Sequence, residues 1–338
     1  MRKKLIYFLL SALVLTGAIG WRAKNFASAD SAAAEIAMEL TTETVLYESN
    51  ADRALPMAST TKIMTAIIVI EDCDLDEEIV VDDRAVGVEG SSIYLKKDEK
   101  INVRDLLYGL MMRSGNDSAA ALAIHHSGSI KEFAKVMNER AREYGAENTN
   151  FKNPSGLPDD EHYTTARDLC KIACHAMKNP TFKEIVGTKN YSGKYRAFVS
   201  KNKMLEKYEG ANGVKTGYTL KAGRCLVSSA ERNGMDVVTV VLNCPDMYGE
   251  SCSILDNCFS SYKLLKLDEN AVFMSGVVLC KIKNSKNIVV KCGKNLDFRV
   301  VSKNKSKKIK IGDLVAELQI YSENNLLFSE NLYSIIDT

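Results

Sequence analysis

Residues 210–243, GANGVKTGYTLKAGRCLVSSAERNGMDVVTVVLN, decide the fold class. GANGVKTGYT reads as a strand, CLVSSAE as its antiparallel neighbour and MDVVTVVLN as a third strand. Asn233-Gly234 between the last two is a tight hairpin turn, because Asn and Gly tolerate the positive φ that such turns require. Upstream, AEIAMELTTETVLYES at 34–49 reads as two shorter strands around the polar turn Thr41–Thr44. Between these regions the pattern is helical. Pro56 stops extended structure, and Ser59 is placed to open a helix whose apolar run continues through Ile70. Asn102 caps an amphipathic segment over 102–112 that breaks at Arg113-Ser114-Gly115-Asn116, after which DSAAALAIHH resumes helix. Further helices are expected over 130–144, 164–178 and from about Ser251 to Leu265. A strand pair, then helices, then a meander predicts an α+β domain with one antiparallel sheet flanked by helices.

The ends of the chain differ from this middle. MRKK followed by the 16-residue apolar run Leu5–Gly20, with Ala27-Ser28-Ala29 downstream, has the form of a signal peptide over 1–29 cleaved before Asp30. Sixteen residues fall short of the roughly 20 a spanning helix needs, although an uncleaved anchor is the alternative. Either way the remainder is expected to be exported. Residues 30–261 carry 27 basic and 35 acidic side chains, whereas 262–338 carry 13 and 8. With short alternating runs such as VVLCKI, NIVVKCG and DLVAELQIY, that shift marks a small all-β domain over 266–338 after a catalytic domain over 30–265. NLLFSENLYSIIDT at the C-terminus has strand-like spacing. Nine cysteines are an odd number without module spacing, and several lie in apolar runs, so buried free thiols are expected. The four histidines are scattered and no H-E-x-x-H occurs, so no metal, cofactor or nucleic-acid partner is expected.

The chemistry lies in three short elements. Ser59 and Lys62, at i and i+3, share a helix face followed by apolar residues, so the lysine is expected to be enclosed. An enclosed lysine near a second cation loses proton affinity and can serve as base to a neighbouring hydroxyl. Ser-x-x-Lys alone is weak, since Ser200/Lys203, Ser260/Lys263 and Ser302/Lys305 repeat it. Ser114-Gly115-Asn116 falls at a helix break, where side chains can enter a cleft. Lys215-Thr216-Gly217 occurs once, on a strand expected at the sheet edge, with Gly217 letting a substrate backbone approach closely. The three follow in order, 55 and then 101 residues apart.

This set resembles the motifs of the serine β-lactamases and penicillin-binding proteins, which makes Ser59 the nucleophile. PMASTTKIMTA, LLYGLMMRSGNDSAAALA, FKNPSGLPDDEHYTTARDL and GVKTGYTLKAG more narrowly resemble the low-mass D-alanyl-D-alanine carboxypeptidases of bacterial cell walls. The likeness is close over residues 35–262 and architectural beyond. It implies a β-lactamase/transpeptidase-like fold and acylation of Ser59 by the terminal D-Ala-D-Ala of a peptidoglycan stem pentapeptide. D-Alanine release, hydrolysis by water, and inhibition by penicillin and other β-lactam antibiotics are implied as well. Lys62 then takes the serine proton, Ser114 and Asn116 relay protons and hold the substrate amide, and Lys215 and Thr216 bind the terminal carboxylate. Lys215 also helps keep Lys62 neutral, and the N–H groups of Ser59 and Tyr218 form the oxyanion hole.

The sequence departs from the family in places. NCPDMYGES, with Glu250, stands where better-known members carry a rim arginine, so Arg224 becomes the candidate second carboxylate anchor. Many relatives end in an amphipathic helix that lies on the membrane; the strand-like C-terminus here predicts secretion or retention by the wall. The stretch 281–310, with eleven Lys/Arg against Asp297, could meet anionic wall polymer or lipid head groups, or form a solvated sheet face. Arg167 is expected to tie the Pro-rich loop to Asp159 or Asp160. A β-lactamase would need a loop Glu with Asn four residues on, whereas Glu161 is followed by Thr165. A transpeptidase or endopeptidase would use the same residues. A non-catalytic wall-binding module would not need them all.

Overall fold

The structure, a computed structural model, describes residues 32–304 and 308–338; the expected leader and its cleavage site lie outside them. Strands β1 (Ala34–Glu39) and β2 (Val45–Ser49) are followed by α1 (Lys62–Asp72) and the short ribbon β3 (Glu78–Val80) and β4 (Lys100–Asn102). Helices α2 (Val103–Tyr108), α3 (Asn116–Ser127), α4 (Ile130–Glu143), α5 (Ala166–Lys178) and α6 (Pro180–Gly187) come next. A second ribbon, β5 (Asn190–Ser192) with β6 (Ala197–Val199), and the single turn α7 (Met204–Lys207) lead to the meander. That meander is β7 (Ala211–Thr219), β8 (Gly223–Arg232) and β9 (Met235–Leu242).

Strands β1, β2, β7, β8 and β9 form one antiparallel sheet in the order β2-β1-β9-β8-β7. Its central strand, β9 (MDVVTVVL), is buried throughout, because both faces are covered and the valines serve two cores. Val227, Val238 and Val240 face the cluster built from α1, α3 and α5, whereas Leu226, Val237 and Val241 face Ile254 and Leu255. Fully burying side chains of this size contributes about 1.5–3 kcal/mol each. β7 pairs only with β8, which leaves the Lys-Thr-Gly strand at the edge.

The last helix, α8, runs Met247–Ser261 rather than 251–265. Asp246 caps it by accepting from the Gly249 N–H at 3.0 Å, and Tyr262–Leu267 becomes strand β10. The reason is alternation: Leu264 packs under α8 while Leu265 and Leu267 enter a third core. β10 pairs with β13 (Lys286–Lys291). The remaining strands are β11 (Phe273–Ser275), β12 (Val278–Lys281), β14 (Leu296–Ser302), β15 (Leu314–Ser322) and β16 (Asn325–Ser334). They form a sheet in the order β11-β12-β16-β15-β14. Ion pairs hold much of the basic stretch against this domain's own acids: Lys286 with Glu330, Lys294 with Glu323, Arg299 with Asp297 and Lys303 with Glu317. All nine cysteines are unpaired, and six are buried.

Candidate active site

Ser59 occupies a 3₁₀ turn, Ala58–Thr61, ahead of α1, rather than the first position of an α-helix. Thr60 Oγ1 donates to Met57 O at 2.6 Å and Thr61 Oγ1 to Ala58 O at 2.8 Å. These hydroxyls bind carbonyls at the turn, so Ser59 has no capping role and its side chain remains half-buried on the cleft. A 3₁₀ turn nearly eclipses i and i+3, which brings Lys62 Nζ to 3.0 Å from Ser59 Oγ. Ala58 holds a left-handed φ of 48° directly before Ser59, a strained conformation of the kind found at functional sites.

Lys62 is completely buried. Its Nζ also donates to Asn116 Oδ1 at 2.7 Å and to Ser155 O at 2.6 Å. A neutral amine has two N–H groups and one lone pair. The two carbonyl oxygens can only accept, so they take both N–H groups, and the lone pair is left for the Ser59 hydroxyl. Burial, and then the nearby charge of Lys215, push the Lys62 pKa well below the usual lysine range, against a smaller opposing pull from Asp117. The arrangement is that of a general base.

Asn116 opens α3 and is fixed from both sides: its N–H donates to Ser91 O at 2.6 Å and its Nδ2 to Glu89 O at 2.5 Å. Buried Asp117 accepts from the N–H groups of Ile93 and Leu95 and from Ser92 Oγ, tying the 89–95 loop to the site. Ser114 ends a π-helical turn, Gly109–Arg113, with φ 63°. The wider turn and left-handed residue set the break between α2 and α3 on which Ser114 and Asn116 stand.

Lys215 points inward from β7 and is 2% exposed, its Nζ donating to Thr216 O at 2.8 Å. Burial, with the charge of Lys201, lowers its pKa to about 7. At Gly217 a Cβ would stand 3.0 Å from Ser59 N and 3.1 Å from Met57 O, so the missing side chain admits the turn that carries Ser59. Thr216 is half-buried and Tyr218 exposed on the opposite sheet face, which the register gives them with Leu226 and Arg224.

The Pro-rich loop closes the third side. Asn153 Oδ1 accepts from the N–H groups of Ser155, Gly156 and Leu157, which folds the loop so that Pro154 O accepts from Thr65 Oγ1 and Ser155 O from Lys62. His162 locks it. Nδ1 accepts from the Lys152 N–H at 3.0 Å, so Nε2 carries the proton and donates to Thr61 Oγ1 at 2.8 Å. Burial lowers the His162 pKa to about 4, which keeps the ring neutral. The resulting cleft, about 440 Å³, is lined by Ser59, Asn116, Ser155 and Gly156, by Glu89–Ser91, by Leu157 and Pro158, and by Tyr218–Lys221. A cavity of about 520 Å³ beside Arg232, Asp256 and Lys263 contains none of these groups.

Three sequence elements far apart thus converge on one buried amine and one hydroxyl. Residues 23–246 match the sequence pattern of the family described as D-alanyl-D-alanine carboxypeptidase. The chain belongs to that family. It is 33% identical over 281 residues to the D-alanyl-D-alanine carboxypeptidase DacF of Bacillus subtilis, covering 78% of this chain and 72% of that one. It is 31% identical over 228 residues to a D-alanyl-D-alanine endopeptidase of Escherichia coli, covering 65% and 72%. Among solved structures it resembles penicillin binding protein 5 from Haemophilus influenzae, with TM-score 0.78, 26% identity, and 92% and 98% of the two chains covered.

Membership in this family makes the protein a serine hydrolase. Several neighbouring residues lie elsewhere than expected. Arg224 is exposed outside the cleft lining, on the sheet face away from Lys62, where its Nη1 donates to Pro245 O at 3.4 Å. Arg167 pairs with Asp52 and Glu48, not with Asp159 or Asp160, because α5 begins beside the β2 end of the sheet; Asp160 instead pairs with Lys221. Glu161 pairs with Lys152 at 2.7 Å outside the cleft. Ser155 O, His162 and Lys201 were not singled out in the sequence. Asn-Pro-Ser-Gly before His162 was the available signal for the first two; Lys201 had none beyond its charge.

Proposed function

We propose that the protein removes the terminal D-alanine from peptidoglycan stem pentapeptides through an acyl-enzyme on Ser59. The observation that carries this is Lys62 Nζ, 3.0 Å from Ser59 Oγ with its remaining hydrogens committed to Asn116 Oδ1 and Ser155 O. Ser59 Oγ attacks the carbonyl of the penultimate D-alanine while its proton passes to Lys62. The tetrahedral oxyanion is received by the N–H groups of Ser59 and Tyr218, each such donor typically contributing about 10²–10³ in rate. The C–N bond then breaks, and the Lys62 proton reaches the leaving amine through the Ser114 hydroxyl. Water, activated by the same amine, releases the shortened peptide. Lys215 holds the terminal carboxylate; Thr216 stands on the other sheet face with Leu226. A β-lactam would acylate Ser59 in the same way, because its strained amide mimics the scissile bond.

The test is intact mass after brief exposure to benzylpenicillin, with Ser59→Ala beside the wild type and D-alanine release from a pentapeptide as the second readout. One penicillin on the wild type alone, with D-alanine released, is expected. Rapid loss of the drug without an adduct would instead identify a β-lactamase. Cleavage of cross-linked dimers in preference to pentapeptide would identify an endopeptidase, the activity named for the E. coli relative. Export is proposed from the apolar run Leu5–Gly20. Contact of 281–310 with anionic wall polymer or lipid would show as salt-sensitive retention on isolated walls. The four ion pairs that stretch makes, one internal and three with Glu317, Glu323 and Glu330, favour a solvated face.

A further inference from the structure

Away from the cleft, the cavity of about 520 Å³ lies where α8 and the β8–β9 hairpin meet β10 and the end of β13. Its volume falls within the roughly 300–1,000 Å³ of small-molecule sites. Met235, Phe259 and Leu264 form an apolar part of the lining, and Arg232, Asp256 and Lys263 bring charge to it. The guanidinium carbon of Arg232 lies 4.4 Å from the ring centre of Tyr208 and 5.2 Å from that of Phe259. These rings shield the cation from water, which strengthens any charge-assisted hydrogen bond at its edge. That edge is poorly used. Nη1 donates to Asp256 Oδ1 at 3.3 Å, whereas the Tyr208 hydroxyl donates to the same oxygen at 2.7 Å, and Nε is buried without a hydrogen-bond partner. Lys263 is exposed and has no ion pair among the described residues.

Two cations and one carboxylate leave a single positive charge on this lining, beside apolar walls. A guanidinium fork matches a carboxylate, and one net charge suits a monoanion better than a doubly charged phosphate beside Asp256. We infer that the cavity is a binding site for a small organic carboxylate with an apolar body. Its charge lies at Arg232 and Lys263, and its body rests on Met235, Phe259 and Leu264. None of the groups around Ser59 takes part, and the binding is independent of the reaction proposed there. The occupant touches α8 and the hairpin on one side and β10 and Cys292 on the other, so it braces the junction between them. A ligand held only by the folded state also raises the thermal midpoint.

The probe is phenylbutyrate, with phenylbutyramide as its uncharged counterpart and inorganic phosphate as an anion without the apolar body. Two readouts belong to the cavity: the methyl resonance of Met235, and alkylation by iodoacetamide of Cys292, the one exposed thiol among the described residues. Probe bound at the Ser59 cleft, which neither residue lines, would move neither readout. Phenylbutyrate should shift the Met235 methyl and protect Cys292, binding about tenfold or more tighter than the amide or phosphate, the worth of a hydrogen bond to a charged group. Lys263→Met should weaken it about two- to fivefold, as loss of an exposed ion pair does, and Lys263→Glu should weaken it further. Equal affinity for acid and amide, equal affinity for phosphate, or an affinity unchanged by Lys263→Glu would each overturn the assignment. So would silence of both readouts at about 10 mM probe, beyond the millimolar range of weak ligands.

Discussion

Gly156→Ala separates the geometry of the base from the presence of its residues. Gly156 has φ +83°, and a Cβ there would lie 1.8 Å from Ala58 O, 2.3 Å from Ala58 C and 2.9 Å from Thr61 Oγ1. The first two are backbone atoms, so the Pro-rich loop must retreat by more than about 1 Å to reach ordinary contact. Left-handed backbone costs an L-residue about 1–2 kcal/mol in addition. The retreat carries Ser155 O away from Lys62 Nζ, now 2.6 Å apart. That leaves an N–H of a fully buried amine without its acceptor, at about 1–3 kcal/mol, and frees the lone pair to turn away from Ser59. Misplacement on this scale costs about 10²-fold in rate. Acylation by a fluorescent penicillin, followed by stopped flow, should therefore slow about 10²-fold. The thermal midpoint should fall about 2–4 °C for each kcal/mol lost. Gly128→Ala is the control: its φ is +74°, but nothing lies within 4 Å of the added Cβ. It should lower the midpoint without slowing acylation. A folded Gly156→Ala protein that acylates within threefold of wild type would refute the role given to the Ser155 carbonyl.

In the proposed mechanism acylation is fastest with Lys62 neutral and Lys215 charged, so its rate should fall at low pH as Lys62 gains a proton. It should also fall as pH rises through about 7, where Lys215 loses its own. Lys215→Met removes a charge that depresses the Lys62 pKa, so the acid limb of the pH–rate profile should move to higher pH; a fixed limb would contradict the coupling. Arg224→Ala should leave KM for D-Ala-D-Ala peptides within about twofold of wild type, as should Tyr108→Phe at its remote 3.2 Å contact with Glu184, because Arg224 lies outside the cleft lining on the sheet face away from Lys62; a rise in KM for Arg224→Ala alone would restore it as an anchor. The His162 pKa is depressed, so its contribution is full above the unfolded value near 6.5 and is lost as pH falls toward about 4. Urea unfolding should show about 3 kcal/mol lost across that window, and His162→Gln, which keeps an N–H donor for Thr61, should flatten the slope.

Much of this was legible because it is written in side chains. Alternating valines, Asn233-Gly234 and the turn at Thr41–Thr44 fix the sheet through its period-two pattern. Ser59, Lys62, Asn116 and Lys215 show as rare polar residues in apolar or small-residue contexts. What was not legible is written in backbone. The acceptor that commits Lys62 is a carbonyl of Ser155, and no residue type advertises a carbonyl's direction. The 3₁₀ turn under Ser59 depends on Ala58 adopting φ 48°, which no propensity for alanine would predict. The displaced start of α8 was readable from Asp246 as a cap, but the apolar periodicity beyond it pointed further along the chain.

The two glycines that matter most look like loop punctuation singly. In space, Gly156 abuts Ala58 O and Gly217 abuts Ser59 N, so the strand and the loop press on the nucleophile's turn from two sides. Neither contact tolerates a methyl group without moving the turn. The reactive geometry is therefore specified by what these positions lack, and it holds only while all three elements are packed together. Loss of activity with retained folding, rather than collapse, is the consequence expected at both sites. The sheet and helices bury extensive cores on either side, of which Met57 and Ala58 at this junction are a small part.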